Sequence, residues 1–360
     1  MKASRCPVAA VLVSFSLALA LGFSPAATAD DGPDHQVVQA RPIELGTSGG
    51  NINDRSKIYC CSGTLGALVQ DADGFQYILS NNHVLARTNL GTIGDDVNQP
   101  GQIDQNCGQT GVVADLSKFV TIKFKQKRSI PLNEVDAAIA LVRDGMVSAD
   151  GSILDIGPLS ANTVAATVGQ VVQKSGRTTG NTVGTVAAVN VTVDVGYSKS
   201  CGGANNQVAR YINQIRITPG AFSAGGDSGS TIVEADAVDP TDGLPRAVGL
   251  LFAGSSTSTI ANPINRVLTL LGVATVGGGS VAASSSSPEV VAASSVKGRH
   301  SAKLFAVPGV VGHGVSVGAN GKPVIEVYLE QDSASSRVQI PAALENVPVK
   351  IEVTGPFEAF

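Results

Sequence analysis

Between Cys60 and about Leu271 the chain is cut into short apolar runs by Gly, Asn and Asp, with no long stretch of helical spacing until its end. That punctuation constrains the fold more than any other feature, because alternating runs of 4–8 residues bounded by turn formers build strands. Strand candidates are Phe119 to Phe124, Ala137 to Val142, Val183 to Val195, Asn213 to Ile217, Ser230 to Val233 and Val248 to Ala253. Thr64 to Val69 and Gln76 to Leu79 flank Asp71-Ala72-Asp73-Gly74, a hairpin signature. Helical spacing enters only after Asn262-Pro263, where an N-cap and a first-turn proline precede Ile264, Val267, Leu268 and Leu271, and Gly272 closes the helix. The main unit is therefore expected to be all-β with one terminal helix. Hydrophobic residues at 43% against 15% charged leave room for substantial cores. A net charge of −4 argues against a nucleic-acid binder, which needs a basic face.

The flanks read differently. Lys2 and Arg5, the apolar run Val8 to Phe23 and Ala27-Thr28-Ala29 describe a signal peptide over residues 1–29, hence a secreted or periplasmic product without stable membrane insertion. Residues 30–54 are expected to form an N-terminal arm, 55–272 the main domain, and 273–302, rich in Gly, Ser and Ala, a flexible linker. Residues 303–360 carry strand patterns at Val310 to Val317, Val324 to Leu329 and Val347 to Val353, which suggests a small α+β domain of ββαβ order. That domain reads either as a folding aid, inhibitor or regulatory module in contact with the main domain, or as a binding module that tethers it.

Once Cys6 leaves with the leader, Cys60, Cys61, Cys107 and Cys201 remain, an even number that suggests two disulfides in an exported chain. Bridging the adjacent pair would strain the backbone, so Cys60 and Cys61 are expected to reach separately to Cys107 and Cys201, in an order left open. The cysteines lack zinc-ligand spacing, and the Asp71 loop is far too short for an EF-hand, so no metal or cofactor is expected.

Gly226-Asp227-Ser228-Gly229 carries the chemistry. A serine that attacks an acyl bond needs an activating base and backbone donors aimed at the developing oxyanion, and flanking glycines let the backbone expose those N–H groups. Of the four histidines, only His83 stands at the end of a core strand. Asp136 opens a buried strand, where a carboxylate is costly unless paired. The order His83, Asp136, Ser228 differs from that of α/β-hydrolases and subtilisins, and Ser228 enters a β run where a nucleophile elbow would enter a helix.

Cys61-Ser-Gly-Thr-Leu-Gly-Ala67, Leu79-Ser-Asn-Asn-His-Val-Leu85, Val135-Asp-Ala-Ala-Ile-Ala140, Lys174-Ser-Gly-Arg-Thr-Thr-Gly180 and Gly225-Gly-Asp-Ser-Gly-Ser230 together resemble trypsin-like, chymotrypsin-fold serine peptidases, with the flavour of bacterial streptogrisin and α-lytic types and of plant narrow-leaf-type proteases. The resemblance covers about residues 58–271. It implies two six-stranded antiparallel β-barrels and a secreted endopeptidase acting on polypeptides, with Ser228 as nucleophile, His83 as base and Asp136 as its orienter. It further implies an oxyanion hole from the N–H groups of Gly226 and Ser228, substrate pairing along Phe252, Ala253 and Gly254, and a Lys174–Asp227 pair that makes an activating N-terminus unnecessary. Phe222 stands six residues before the serine, where cleavage after Lys or Arg relies on an aspartate, so apolar or small residues are expected before the scissile bond. The histidine motif lacks the family's Ala-Ala-His-Cys. Rivals are a chymotrypsin-fold binding protein without activity, and an enzyme that cleaves itself or esters.

Overall fold

The computed structural model describes residues 34–108, 111–276 and 287–360. The expected signal peptide and the middle of the expected linker lie outside the described residues. The first sheet uses β1 (Thr47–Asn51), β2 (Gly63–Leu65), β3 (Ala67–Gln70), β4 (Gln76–Ser80), β5 (Asp96–Gln99) and β6 (Gly111–Phe119). A one-turn helix, α1 (Asn82–Leu85), follows β4, and the two-residue β7 (Leu132–Asn133) precedes β8 (Ala138–Val142). Strand order is β3-β4-β8-β6-β5-β1-β2, antiparallel throughout. Because β2 and β3 are one run interrupted at Gly66, the order closes on itself as a six-stranded barrel around Leu65, Leu68, Ile78, Val97 and Leu116.

The second barrel is built from β9 (Val171–Gly176), β10 (Gly180–Ser198), β11 (Asn205–Thr218), β12 (Thr231–Glu234), β13 (Ala247–Gly254) and β14 (Thr259–Pro263). Their order is β10-β9-β12-β13-β14-β11, and a further β10–β11 pairing closes the ring. The fold is thus the double β-barrel of chymotrypsin-like proteins. Short hairpins explain much of it. Asp71 Oδ1 accepts from the backbone N–H groups of Asp73 and Phe75, both at 3.0 Å, and Gly74 sits at φ +85°, so the Asp-Ala-Asp-Gly run is a turn.

Helix α2 (Ile264–Leu271) buries the four apolar residues whose spacing announced it, and Gly272 at φ +74° ends it. Asn262 does not cap it. Its side chain instead accepts from Asp136 N at 3.1 Å and donates to the carbonyls of Asp136 and Leu250. The strand expected over Phe119 to Phe124 lies earlier, over β6, and residues 120–124 run on outside any strand. Within the expected arm, 47–51 is a barrel strand and Ile43 and Leu45 are buried.

After α2, β15 (Ala274–Thr275) pairs with β3. The C-terminal part then comprises α3 (Pro288–Phe305), β16 (Val310–Val317), β17 (Pro323–Leu329), α4 (Ala334–Gln339), β18 (Ala343–Leu344), β19 (Val347–Val353) and β20 (Phe357–Ala359). Residues 288–302, expected as linker, are helical. Ser287 caps the helix by accepting from Val290 N, Pro288 occupies the first turn, and Val290, Ala293, Val296 and Leu304 face inward. Strand β16 pairs antiparallel with β10, so the C-terminal sheet continues that of the second barrel.

Arg216 on β11 and Glu326 on β17 lock this junction at 2.7 Å, with side chains only 7% and 4% exposed and the Tyr328 hydroxyl donating to Glu326. Removing one member of a buried pair strands the other charge, at about 3–5 kcal/mol. Glu326→Ala is therefore expected to lower the urea midpoint by a corresponding amount; an unchanged midpoint would show that water reaches Arg216. The cysteines pair as Cys60–Cys107 and Cys61–Cys201, the second tying the first barrel to the β10–β11 turn of the other.

Candidate active site

Asp136 lies at the entry to β8, fully buried, with its backbone gripped from three directions. Asn81 Nδ2 donates to Asp136 O at 2.8 Å, Asn262 Nδ2 donates to the same carbonyl, and Asn262 Oδ1 accepts from Asp136 N. His83, in α1 at the end of β4, places Nδ1 2.6 Å from Asp136 Oδ2, and its own N–H donates to Oδ1 at 3.2 Å. The Tyr197 hydroxyl donates to the same Oδ2 at 2.8 Å and meets the Tyr211 hydroxyl at 2.7 Å. These donors satisfy a carboxylate that would be costly to bury without partners.

Burial is the largest influence on the His83 ring and favours its neutral form. The Asp136 carboxylate, the Phe360 carbonyl and Asp54 outweigh it, so the pKa lies above the ordinary imidazole value. Burial, followed by the Asp136 charge, pushes the Tyr197 hydroxyl well above the phenol range, which keeps it a donor. The other histidines are engaged elsewhere: His35 with Gly46 O and Asp155, His300 with Glu345, His313 with Ser301.

Ser228 comes from the second barrel and is also fully buried. Gly226 and Gly229 bracket it at φ +100° and +96°, a conformation other residues adopt only with strain. Gly66 matters for a different reason. A Cβ there would stand 2.0 Å from Gly229 O, so only glycine lets β2–β3 approach the serine loop; nearby, Thr64 N donates to Ser228 O at 2.8 Å. Asp227 accepts from Thr178 N, Thr179 N, Thr179 Oγ1 and Ala224 N. Lys174 Nζ stands 3.6 Å from Asp227 Oδ2 and donates to Thr179 Oγ1 and Gly180 O, with both side chains fully buried. Burial lowers the Lys174 pKa and the Asp227 charge opposes that shift. Phe222 is buried in the core of the second barrel.

Among the described residues Ser228 Oγ does not bond to His83. It donates to Phe252 O at 3.1 Å, and His83 Nε2 instead faces Phe360 O at 3.1 Å. Of the expected substrate strand Phe252, Ala253 and Gly254, the last two pair with β20: Ala253 opposes Ala359 and Gly254 opposes Glu358. Residues 358–360 of this chain thus lie between that strand and His83. Beside Phe360 a groove of about 280 Å³ remains, bordered by Cys61, Ser62, Val84, Arg177 and Gly226. Asp54 also borders it, and burial raises its carboxyl pKa to about 6 against the opposing charges of Arg87 and His83.

Sequence reasoning passed over Asn81, Tyr197 and Tyr211 and took Asn262 for a helix cap. The asparagines were detectable as polar residues in otherwise apolar strand ends; the tyrosines carry no such signal, since strands favour tyrosine for packing alone.

No family model matches the chain, and no curated protein matches it. Among solved structures it is similar to bacterial serine proteases. A glutamic acid specific serine protease described as utilizing a histidine triad in substrate binding shares 24% identity over 65% of this chain and 100% of its own, at a TM-score of 0.42. Thermobifida fusca Protease A shares 18% over 65% of this chain and 97% of its own, at a TM-score of 0.40. Cellulomonas bogoriensis chymotrypsin shares 20% over 64% and 97%, also at 0.40. Likenesses this distant leave the site to be judged on its own distances.

Proposed function

We propose that the chain is a secreted serine endopeptidase that hydrolyses polypeptides through Ser228, His83 and Asp136. The observation that carries this is the His83 Nδ1–Asp136 contact at 2.6 Å, with Nε2 turned toward a carbonyl in the cleft that Gly226 borders. Asp136 holds the proton on Nδ1, which leaves Nε2 free to receive one. When a substrate carbonyl takes the place of Phe360, Ser228 Oγ turns from Phe252 O toward Nε2, loses its proton there and attacks the carbonyl carbon. The N–H groups of Gly226 and Ser228 stabilise the oxyanion, His83 returns the proton to the leaving amine, and water repeats the cycle on the acyl-enzyme.

A fluorophosphonate probe, which bonds to an activated serine, is expected to label the chain and to spare Ser228→Ala. Equal labelling of both overturns the reading, as does absence of labelling once residues 357–360 are deleted to vacate the cleft. The pH dependence follows from the direction of the His83 shift. Catalysis needs the neutral ring, and the pKa is raised, so kcat/KM should fall with acid through a midpoint above about 6.5. A pH–rate profile checks this; a midpoint well below that value would contradict the Asp136 contact.

A further inference from the structure

Residues 357–360 lie in the cleft as a polypeptide substrate would. Strand β20 is added between two strands of the second barrel, antiparallel to β13 and parallel to β10, where Val195 opposes Phe357 and Gly196 opposes Glu358. Pairing of this kind supplies main-chain affinity, and alternate side chains supply selectivity. Phe357 is buried in an aromatic cluster with Tyr197, Tyr211, Phe252 and Tyr328, whereas Glu358 is exposed. The Phe360 ring packs against the barrel core that contains Ile217 and Phe222 and covers Gly254 so closely that a Cβ there would fall 2.2 Å from its Cζ. The Phe360 carbonyl sits 3.1 Å from His83 Nε2, the atom that must receive the serine proton. Only 10% of the His83 side chain remains exposed. The segment is also aimed from behind: β19 pairs with β17, and Thr354 N donates to Leu329 O at 2.9 Å just before the chain enters the cleft.

We propose that residues 357–360 are a resident, substrate-mimicking inhibitor, and that the polypeptides cleaved here carry an aromatic residue before the scissile bond with a small residue preceding it. This rests on the serine-peptidase reading. The blocked half of the cleft is the one that binds the acyl side of a substrate, since the groove past Phe360 stays open. A tethered segment acts at an effective concentration on the order of millimolar. If it binds its cleft with a Kd of ~0.1 mM, it is seated about ten times in eleven, and vacating the cleft raises activity on dilute substrate about tenfold.

The test compares the whole chain, Phe360→Gly and the chain lacking residues 357–360 on acetyl-Phe-Glu-Ala-Phe-p-nitroanilide well below KM, with fluorophosphonate labelling in parallel. Phe360 is only half-buried, so its replacement should leave the barrels folded. Both altered chains are expected to turn over and label about tenfold faster, and to be inhibited competitively by added acetyl-Phe-Glu-Ala-Phe, a measurement that compares one protein with itself. An analogue with Arg before the nitroanilide should be a poor substrate. Equal rates in all three chains, with labelling intact, overturn the inhibitor and leave the peptidase standing. Preference for the Arg analogue overturns the substrate class. If no chain labels or hydrolyses, both readings fall together.

Discussion

Asp136→Asn is expected to lower kcat by about 10⁴-fold while KM changes little, the loss seen when a triad carboxylate becomes an amide. The reason is donor and acceptor counting. Three donors converge on the Asp136 carboxylate: His83 Nδ1, the Tyr197 hydroxyl and the His83 backbone N–H. An asparagine offers one oxygen. If its nitrogen replaces Oδ2, His83 must accept at Nδ1 and carry its proton on Nε2, where it can no longer take one from Ser228. If its nitrogen replaces Oδ1, it confronts the His83 N–H, donor against donor. Either arrangement leaves a buried polar group without a partner, at about 1–3 kcal/mol. Single-turnover and steady-state kinetics separate the outcomes, and the surviving activity should show its acid limb at lower pH, because a carboxylate that raised the His83 pKa has gone. A fall of less than about tenfold would remove Asp136 from the mechanism.

Lys174→Met should destabilise the chain by about 3–5 kcal/mol and reduce labelling of Ser228. The ammonium is fully buried against Asp227, and Asp227 is the residue between Gly226 and Ser228. Without the cation the carboxylate keeps its donors from residues 178, 179 and 224 but loses the nearby charge that offsets its desolvation. The strain falls on the backbone that presents the Gly226 and Ser228 N–H groups. Urea unfolding and the rate of fluorophosphonate labelling read the two effects independently. An unchanged midpoint with full labelling would mean that the threonine and backbone contacts suffice to hold Asp227.

Local chemistry made the barrels legible. Turn residues at fixed offsets, short apolar runs and the i, i+3, i+4, i+7 spacing of Ile264, Val267, Leu268 and Leu271 all depend on neighbours within one element, and these features appear in the structure. Helix α3 was illegible for the opposite reason: only Val290, Ala293, Val296 and Leu304 form its apolar inward face, interrupted by the buried Lys297, and Ala, Ser and Gly fill much of the rest, a composition that buries little by itself and becomes helical against β16 and β17. Asn262 misled as a cap because its partners, Asp136 just before β8 and Leu250 on β13, lie far from it in the chain or on another strand.

From its letters alone, this chain determines its alternating strands, its turns and the residue types able to perform acyl transfer, since each follows from nearest-neighbour sterics and intrinsic reactivity. Tertiary structure decided which cysteine met which, that Asn81, Asn262 and Tyr197 would hold Asp136, and that Phe360 would face His83 across a separation of 277 residues. Contacts over such distances carry no local signature, because the chain entropy that opposes them is overcome only when the whole sheet forms.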